Sequence, residues 1–126
     1  MSLVTTKEML NDARDRHYAV GAFNVENMEM VQAVLAAAER LRAPVIMQTT
    51  PSAIKYAGAD YFYGNVFAAA KDACVPVALH LDHGSDYSLA VQAVRAGYTS
   101  IMIDGSKMPL ESNIQITRKV ILILHF

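Results

Sequence analysis

The stretch PVALHLDHGSD, residues 76–86, begins as an apolar run and ends with His80, Asp82, His83 and Asp86 within seven positions. A buried strand gains nothing from such a cluster, because ionisable groups are costly to bury without partners. Side chains alternate along a strand, so His80 and Asp82 share one face while Leu79 and Leu81 take the other. Asp82, last on the strand, is the candidate catalytic residue, a carboxylate able to exchange a proton at a rim. His83 falls where strand becomes loop, before Gly84, and its imidazole is free to bind a metal. His80, one layer deeper, reads as a core histidine satisfied by its neighbours. One imidazole does not make a zinc site, which takes about three protein ligands and an open position. Neither His17 nor His125 obviously adds to it.

These residues must be carried by an alternating frame. A polar helix is expected over 5–17, with Thr5 and Glu8 at capping-box spacing. Strands are expected at 19–25, 44–50, 76–82 and 100–104, starting 25, 32 and 24 residues apart. A helix over 26–42 places Met28, Val31, Val34, Leu35, Ala38 and Leu41 on one stripe. A loop with Pro51 and Gly58 follows the second strand, and a helix weakened by Gly64 spans 59–73. Ser85 reads as the N-cap of the next helix and Gly97 as its C-terminal stop. A last helix begins near Pro109. This β-α alternation predicts an α/β fold with a parallel sheet. A (β/α)8 TIM barrel of about 250 residues uses about 31 per unit, so four units in one domain, 1–126, look like half a barrel. The competing architecture is a doubly wound, flavodoxin-like sheet.

The barrel is favoured because every strand ends in polar groups: Asn24, then Thr49 and Thr50, then Asp82 and His83, then Asp104. In parallel α/β folds these C-terminal ends form the ligand-binding face. Each has a turn-forming role taken alone; together they describe a site.

Other chemistries are excluded or weak. With 11 basic and 12 acidic residues, a net charge of −1 and no basic run, neither nucleic acid nor an anionic membrane surface is an expected partner. No apolar run reaches the ~20 residues that span a bilayer, and the start lacks a secretory pattern, so a cytoplasmic location is expected. No GxGxxG, GxxxxGK[ST] or GxSxG motif occurs. Lys107 reads as solvated rather than as a Schiff-base lysine. The single cysteine, Cys74, and most of the seven methionines are expected in the core.

VPVALHLDHG resembles the first signature of the class II, zinc-dependent ketose-bisphosphate aldolases. YAVGAFNVEN, APVIMQTTPSA and AGYTSIMIDGSKMPLESNI resemble that family's first, second and fourth βα units, in order, so that the likeness covers about residues 3–119. The resemblance implies cleavage of fructose- or tagatose-1,6-bisphosphate to two triose phosphates, with Asp82 as acid/base and His83 as a ligand of catalytic Zn2+. It implies Asp104 at a second, non-catalytic cation position, and Asn24 and Thr50 as substrate contacts. Zinc would serve as a Lewis acid, and the partners that the resemblance implies include a family-like homo-oligomer. The family's LExELG-like signature, its later histidines and its glycine-rich phosphate loops are missing, so the isolated chain is expected to be a poor enzyme. The tail, 120–126, is atypical, its apolar residues facing all directions. A non-enzymatic phosphosugar- or metal-binding module, or an inactive truncated product, are the other readings.

Overall fold

The computed structural model describes residues 3–124, so His125 lies outside the described residues. Helix α1 (Thr6–Asp15) precedes four β-α units: β1 (Gly21–Asn24), α2 (Met28–Leu41), β2 (Val45–Thr49), α3 (Pro51–Ala57), α4 (Ala59–Ala70), β3 (Val77–Gly84), α5 (Tyr87–Ala96), β4 (Ser100–Ile103) and α6 (Leu110–Ile123). The strands form one parallel sheet in the order β1-β2-β3-β4. That sequential order rejects the flavodoxin-like alternative, whose chain reverses direction at a switch point. It is the order of successive barrel strands.

The two faces of the sheet bury different things. On the helix side, Val45, Met47, Val77, Leu79 and Leu81 join Val31, Phe62, Val66 and Ala93 in one apolar core. On the concave side, Ile46 and Ala78 pack with Met9 of α1, flanked by Val4 and Val20. Helix α1 thus plugs the N-terminal end of the strands. It is tied there by the Val4 N–H donating to the Val77 carbonyl at 2.9 Å. Above the plug the concave face turns polar: His80 Nδ1 lies 2.7 Å from Ser100 Oγ, which also meets Thr6 Oγ1 at 3.2 Å. His80 is therefore the partnered histidine expected of that layer, and burial lowers its pKa below the usual range.

Several local expectations are corrected. The loop after β2 is helical, because Pro51 sits in the first turn and the Thr50 side chain accepts from the Ala53 N–H. Gly58, at φ 95°, ends that helix where a side chain would be strained. Thr5 occupies the N-cap of α1 without a side-chain capping bond. At α5 the cap is Asp86, not Ser85: Asp86 accepts from the Leu89 N–H at 2.9 Å, and the Ser85 hydroxyl donates to Asp86. Cys74 is exposed, since it lies in the turn between α4 and β3. Met9 and Met47 are core, but Met28, Met30, Met102 and Met108 are exposed. The apolar tail continues α6 as far as Ile123, with Val120 buried and Leu122 turned outward.

The Asp86 cap makes a measurable contribution. Its capping bonds to Leu89 and Ser85 hold its pKa below the ordinary carboxylate value, so its stabilisation is present above about pH 4 and is lost as pH falls through the depressed folded-state pKa. Asp86→Ala is expected to cost about 1 kcal/mol at neutral pH. Urea melts of both proteins should show this difference shrinking in acid.

Candidate active-site rim

Four strand ends bring their polar groups to the same end of the sheet, but the link between them was missed in the sequence. Gln48, on the concave face of β2, donates from Nε2 to Asn24 Oδ1 at 2.7 Å and to Asp82 Oδ2 at 3.0 Å. One amide therefore bridges β1, β2 and β3. The signal that could have found it was period-two alternation. Ile46 and Gln48 share a face in β2, and parallel register sets Gln48 between Asn24 and His80. Asp82 keeps Oδ1 outside this bridge, with its side chain 23% exposed, so a proton can reach it from the mouth.

His83 is placed by a distortion. Its φ is 52°, in the left-handed region that a residue with a Cβ seldom adopts. The β3–β4 register slips by one residue between Leu81 and Gly84, the signature of a bulge, which re-aims a side chain. Without it, strand alternation would turn His83 away from Asp82, onto the helix side of the sheet with Leu79 and Leu81. Instead His83 Nδ1 meets Asp104 Oδ2 at 2.7 Å, and Nε2 lies 3.9 Å from Asp82 Oδ1. Gly84 completes the bulge: a Cβ there would lie 2.8 Å from the Met102 carbonyl oxygen. Beyond the bulge, the Asp104 N–H donates to the Gly84 carbonyl.

The His83–Asp104 contact polarises both groups. The hydrogen bond to Asp104 raises the His83 pKa above its ordinary value, with the Asp82 charge adding to it. In return, His83 and the bonds from Ser106 hold Asp104 far below the usual carboxylate range. A raised folded-state pKa means that protonated His83 favours the fold at pH below about 6.5, and the effect is lost as pH rises through the shifted value. Asp104→Asn removes the charge while keeping an acceptor. The NMR titration midpoint of His83 is therefore expected above 6.5 in the native chain and lower in the variant.

Thr50 stands apart from this chain of contacts. Its hydroxyl is engaged by Ser52 Oγ at 2.9 Å and by the Ala53 N–H at 3.4 Å, so it shapes the start of α3. Behind it, the buried Thr49 hydroxyl meets Tyr98 at 2.8 Å, and burial pushes the Tyr98 pKa up to about 12. A cavity of about 630 Å³ lies at the opposite end of the strands, lined by Glu8, Met9, Asp12, Arg16, Tyr18 and Arg42 among others. It has no part in the rim.

A metal centre is only partly furnished. No group of three or more His, Cys, Asp or Glu side chains that could hold a metal ion occurs among the described residues. What is present fits one ligand of a larger set. Asp104 on Nδ1 orients the imidazole and leaves Nε2 available, which is how metal-binding histidines are commonly supported.

Residues 4–126 match the family described as class-II fructose-bisphosphate aldolase. The chain belongs to that family. It is 47% identical over 123 residues to a fructose-bisphosphate aldolase of Thermus caldophilus, covering 98% of this chain and 40% of that relative. It is 45% identical over 128 residues to the fructose-bisphosphate aldolase of Geobacillus stearothermophilus, covering 99% and 45%. The crystal structure of the YdjI aldolase from Escherichia coli K12 superposes with a TM-score of 0.91 at 33% identity, over 98% of this chain and 47% of that one. The chain thus spans less than half the length of these aldolases. Its four parallel strands and their helices are half of a class II aldolase barrel. No helix among the described residues is long and apolar enough to cross a membrane.

Proposed function

We propose that this chain supplies the first half of the active-site rim of a zinc-dependent ketose-bisphosphate aldolase, cleaving fructose- or tagatose-1,6-bisphosphate between C3 and C4. The observation that carries the reading is the bridge Asn24–Gln48–Asp82 beside His83–Asp104, in a chain of the class II aldolase family.

The residues divide the work by position. Asp82 holds one carboxylate oxygen on Gln48 and keeps the other for the proton that leaves the C4 hydroxyl during cleavage and returns to the aldehyde oxygen in the reverse direction. His83 offers Nε2 as one zinc ligand, oriented by Asp104 through Nδ1. Zinc, when bound, acts as a Lewis acid that stabilises negative charge developing on the triose fragment. The Asp104 contact argues for an orienting part rather than direct ligation of the catalytic ion, and a second cation beside it is compatible with its carboxylate. Asn24 and Thr50 lie on the rim of the first two strands and contact the phosphorylated sugar, Asn24 being fixed in direction by Gln48. The same reading makes the protein cytoplasmic, with phosphorylated ketose and triose as its small-molecule partners.

The test is reconstitution. The chain is assayed for triose phosphate release with zinc, alone and co-expressed with the later half of the Geobacillus stearothermophilus aldolase. Turnover that needs both halves supports the reading. A soluble, zinc-loaded assembly with no cleavage of either bisphosphate overturns it.

A further inference from the structure

The cavity of about 630 Å³ at the N-terminal end of the strands combines an apolar floor with charged walls. The floor is Met9 of α1, buried against the sheet, with Ala43, Pro44 and Pro76 at the entry to β2 and β3. Those two strands have neighbours on both sides, and the Val45 N–H donates to the Pro76 carbonyl at 3.0 Å. The floor therefore stands away from the β1 and β4 edges. Helix α1 reaches the concave face through Thr6, which meets Ser100. Thr5, Glu8 and Asp12, spaced three and four residues apart, share its other flank and form one wall of the cavity.

The charges around the floor are unequally engaged. Asp12 accepts from the Tyr18 hydroxyl at 2.7 Å and lies 3.7 Å from Arg16 Nη1. Arg42 joins the lining from the α2–β2 turn, and among the described residues its guanidinium has no hydrogen-bond or ion-pair partner. Its backbone sits at φ 51° and ψ 41°, in the left-handed region where glycine ends a helix without strain. The favourable charge at the end of α2 is already supplied by Arg40. An arginine held against its backbone preference, with its donors unused beside an apolar floor, points to a ligand contact.

We propose that this cavity is a second ligand site, at the opposite end of the strands from the rim, for a small planar apolar molecule carrying one carboxylate. The ring lies on Met9, Pro44 and Pro76, and the carboxylate accepts from the Arg42 guanidinium, whose planar fork of donors matches it. The volume is in the range of small-molecule sites. One negative charge suits the site better than the two of a phosphate, because the Glu8 and Asp12 carboxylates share the lining. A ligand that spans α1 and the strand entries binds only while α1 is docked, so occupancy holds α1 on the sheet.

NMR titration of the chain with 2-naphthoate tests this. The expected result is saturable shifts confined to α1 and to the residues at the start of β2 and β3, with α1 amides exchanging more slowly in the bound state. The neutral counterpart, 2-naphthalenemethanol, should bind at least about ten-fold more weakly, and 2-naphthyl phosphate should also bind less well than the carboxylate. Arg42→Gly should weaken 2-naphthoate binding by about ten-fold or more with its urea midpoint close to the native value, since glycine suits the left-handed turn. Arg42→Lys, which keeps the charge without the fork, should fall between the two. Glu8→Gln should tighten binding. An absence of saturable shifts at millimolar 2-naphthoate overturns the proposal, as do shifts centred on the rim or the concave face. So do binding indifferent to Arg42→Gly, a phosphate that binds more tightly than the carboxylate, and a Glu8→Gln variant that binds more weakly.

Discussion

Asp82→Asn, in a barrel completed as described for the reconstitution assay, is expected to slow bisphosphate cleavage by about 10²–10⁴-fold, the usual worth of a positioned acid/base. Zinc should stay bound. The amide is isosteric, and its carbonyl oxygen can still accept from Gln48, so the Asn24–Gln48 bridge persists. On the proposed assignment, what is lost is the ability to take up a proton from the C4 hydroxyl. His83→Ala should differ in kind: metal content falls first, and activity falls with it. Metal analysis beside steady-state kinetics separates the two variants. Equal zinc loss in both would undo the division of labour between neighbouring residues.

The second large effect concerns the scaffold. Phe62 is fully buried where α4 meets the helix face of the sheet. Phe62→Ala is expected to cost about 3–5 kcal/mol, the lost transfer free energy plus the cavity left behind. That is a large part of the 5–15 kcal/mol typical of a whole domain. Urea denaturation should show a lower midpoint in proportion, while Phe62→Leu, which refills part of the volume, should be milder. A loss below about 1 kcal/mol would mean that α4 relaxes onto the sheet and that the packing is looser than drawn.

The repeating pattern of the chain was readable because it follows from local chemistry. Four apolar strands alternating with amphipathic helices can bury both faces of a sheet in few ways, and parallel pairing with helical crossovers is the common one. All four strands and the helices between them appear near the expected positions, except that Pro51–Ala57 is helical. That helix was hidden because proline and glycine mark turns as well as helix ends, and only the Thr50 cap distinguishes the cases. Exposure was legible only in part. Cys74 and four methionines are apolar by type yet lie at the surface, because composition does not say which side of an element faces the core.

What the sequence by itself determined is the inventory and order of the rim: Asn24, Thr50, Asp82, His83 and Asp104, each at a strand's end, within a recognisable aldolase half. Period-two alternation is enough to put Asp82 and His80 on one face and the leucines on the other. Tertiary structure decided which of these groups touch. Strand register brought Gln48 between Asn24 and Asp82, and a one-residue slip between β3 and β4 turned His83, at φ 52°, onto Asp104. Neither is written in any local stretch. Register and bulges are settled by pairing between strands some twenty to thirty residues apart, where one residue of offset moves a side chain to the opposite face.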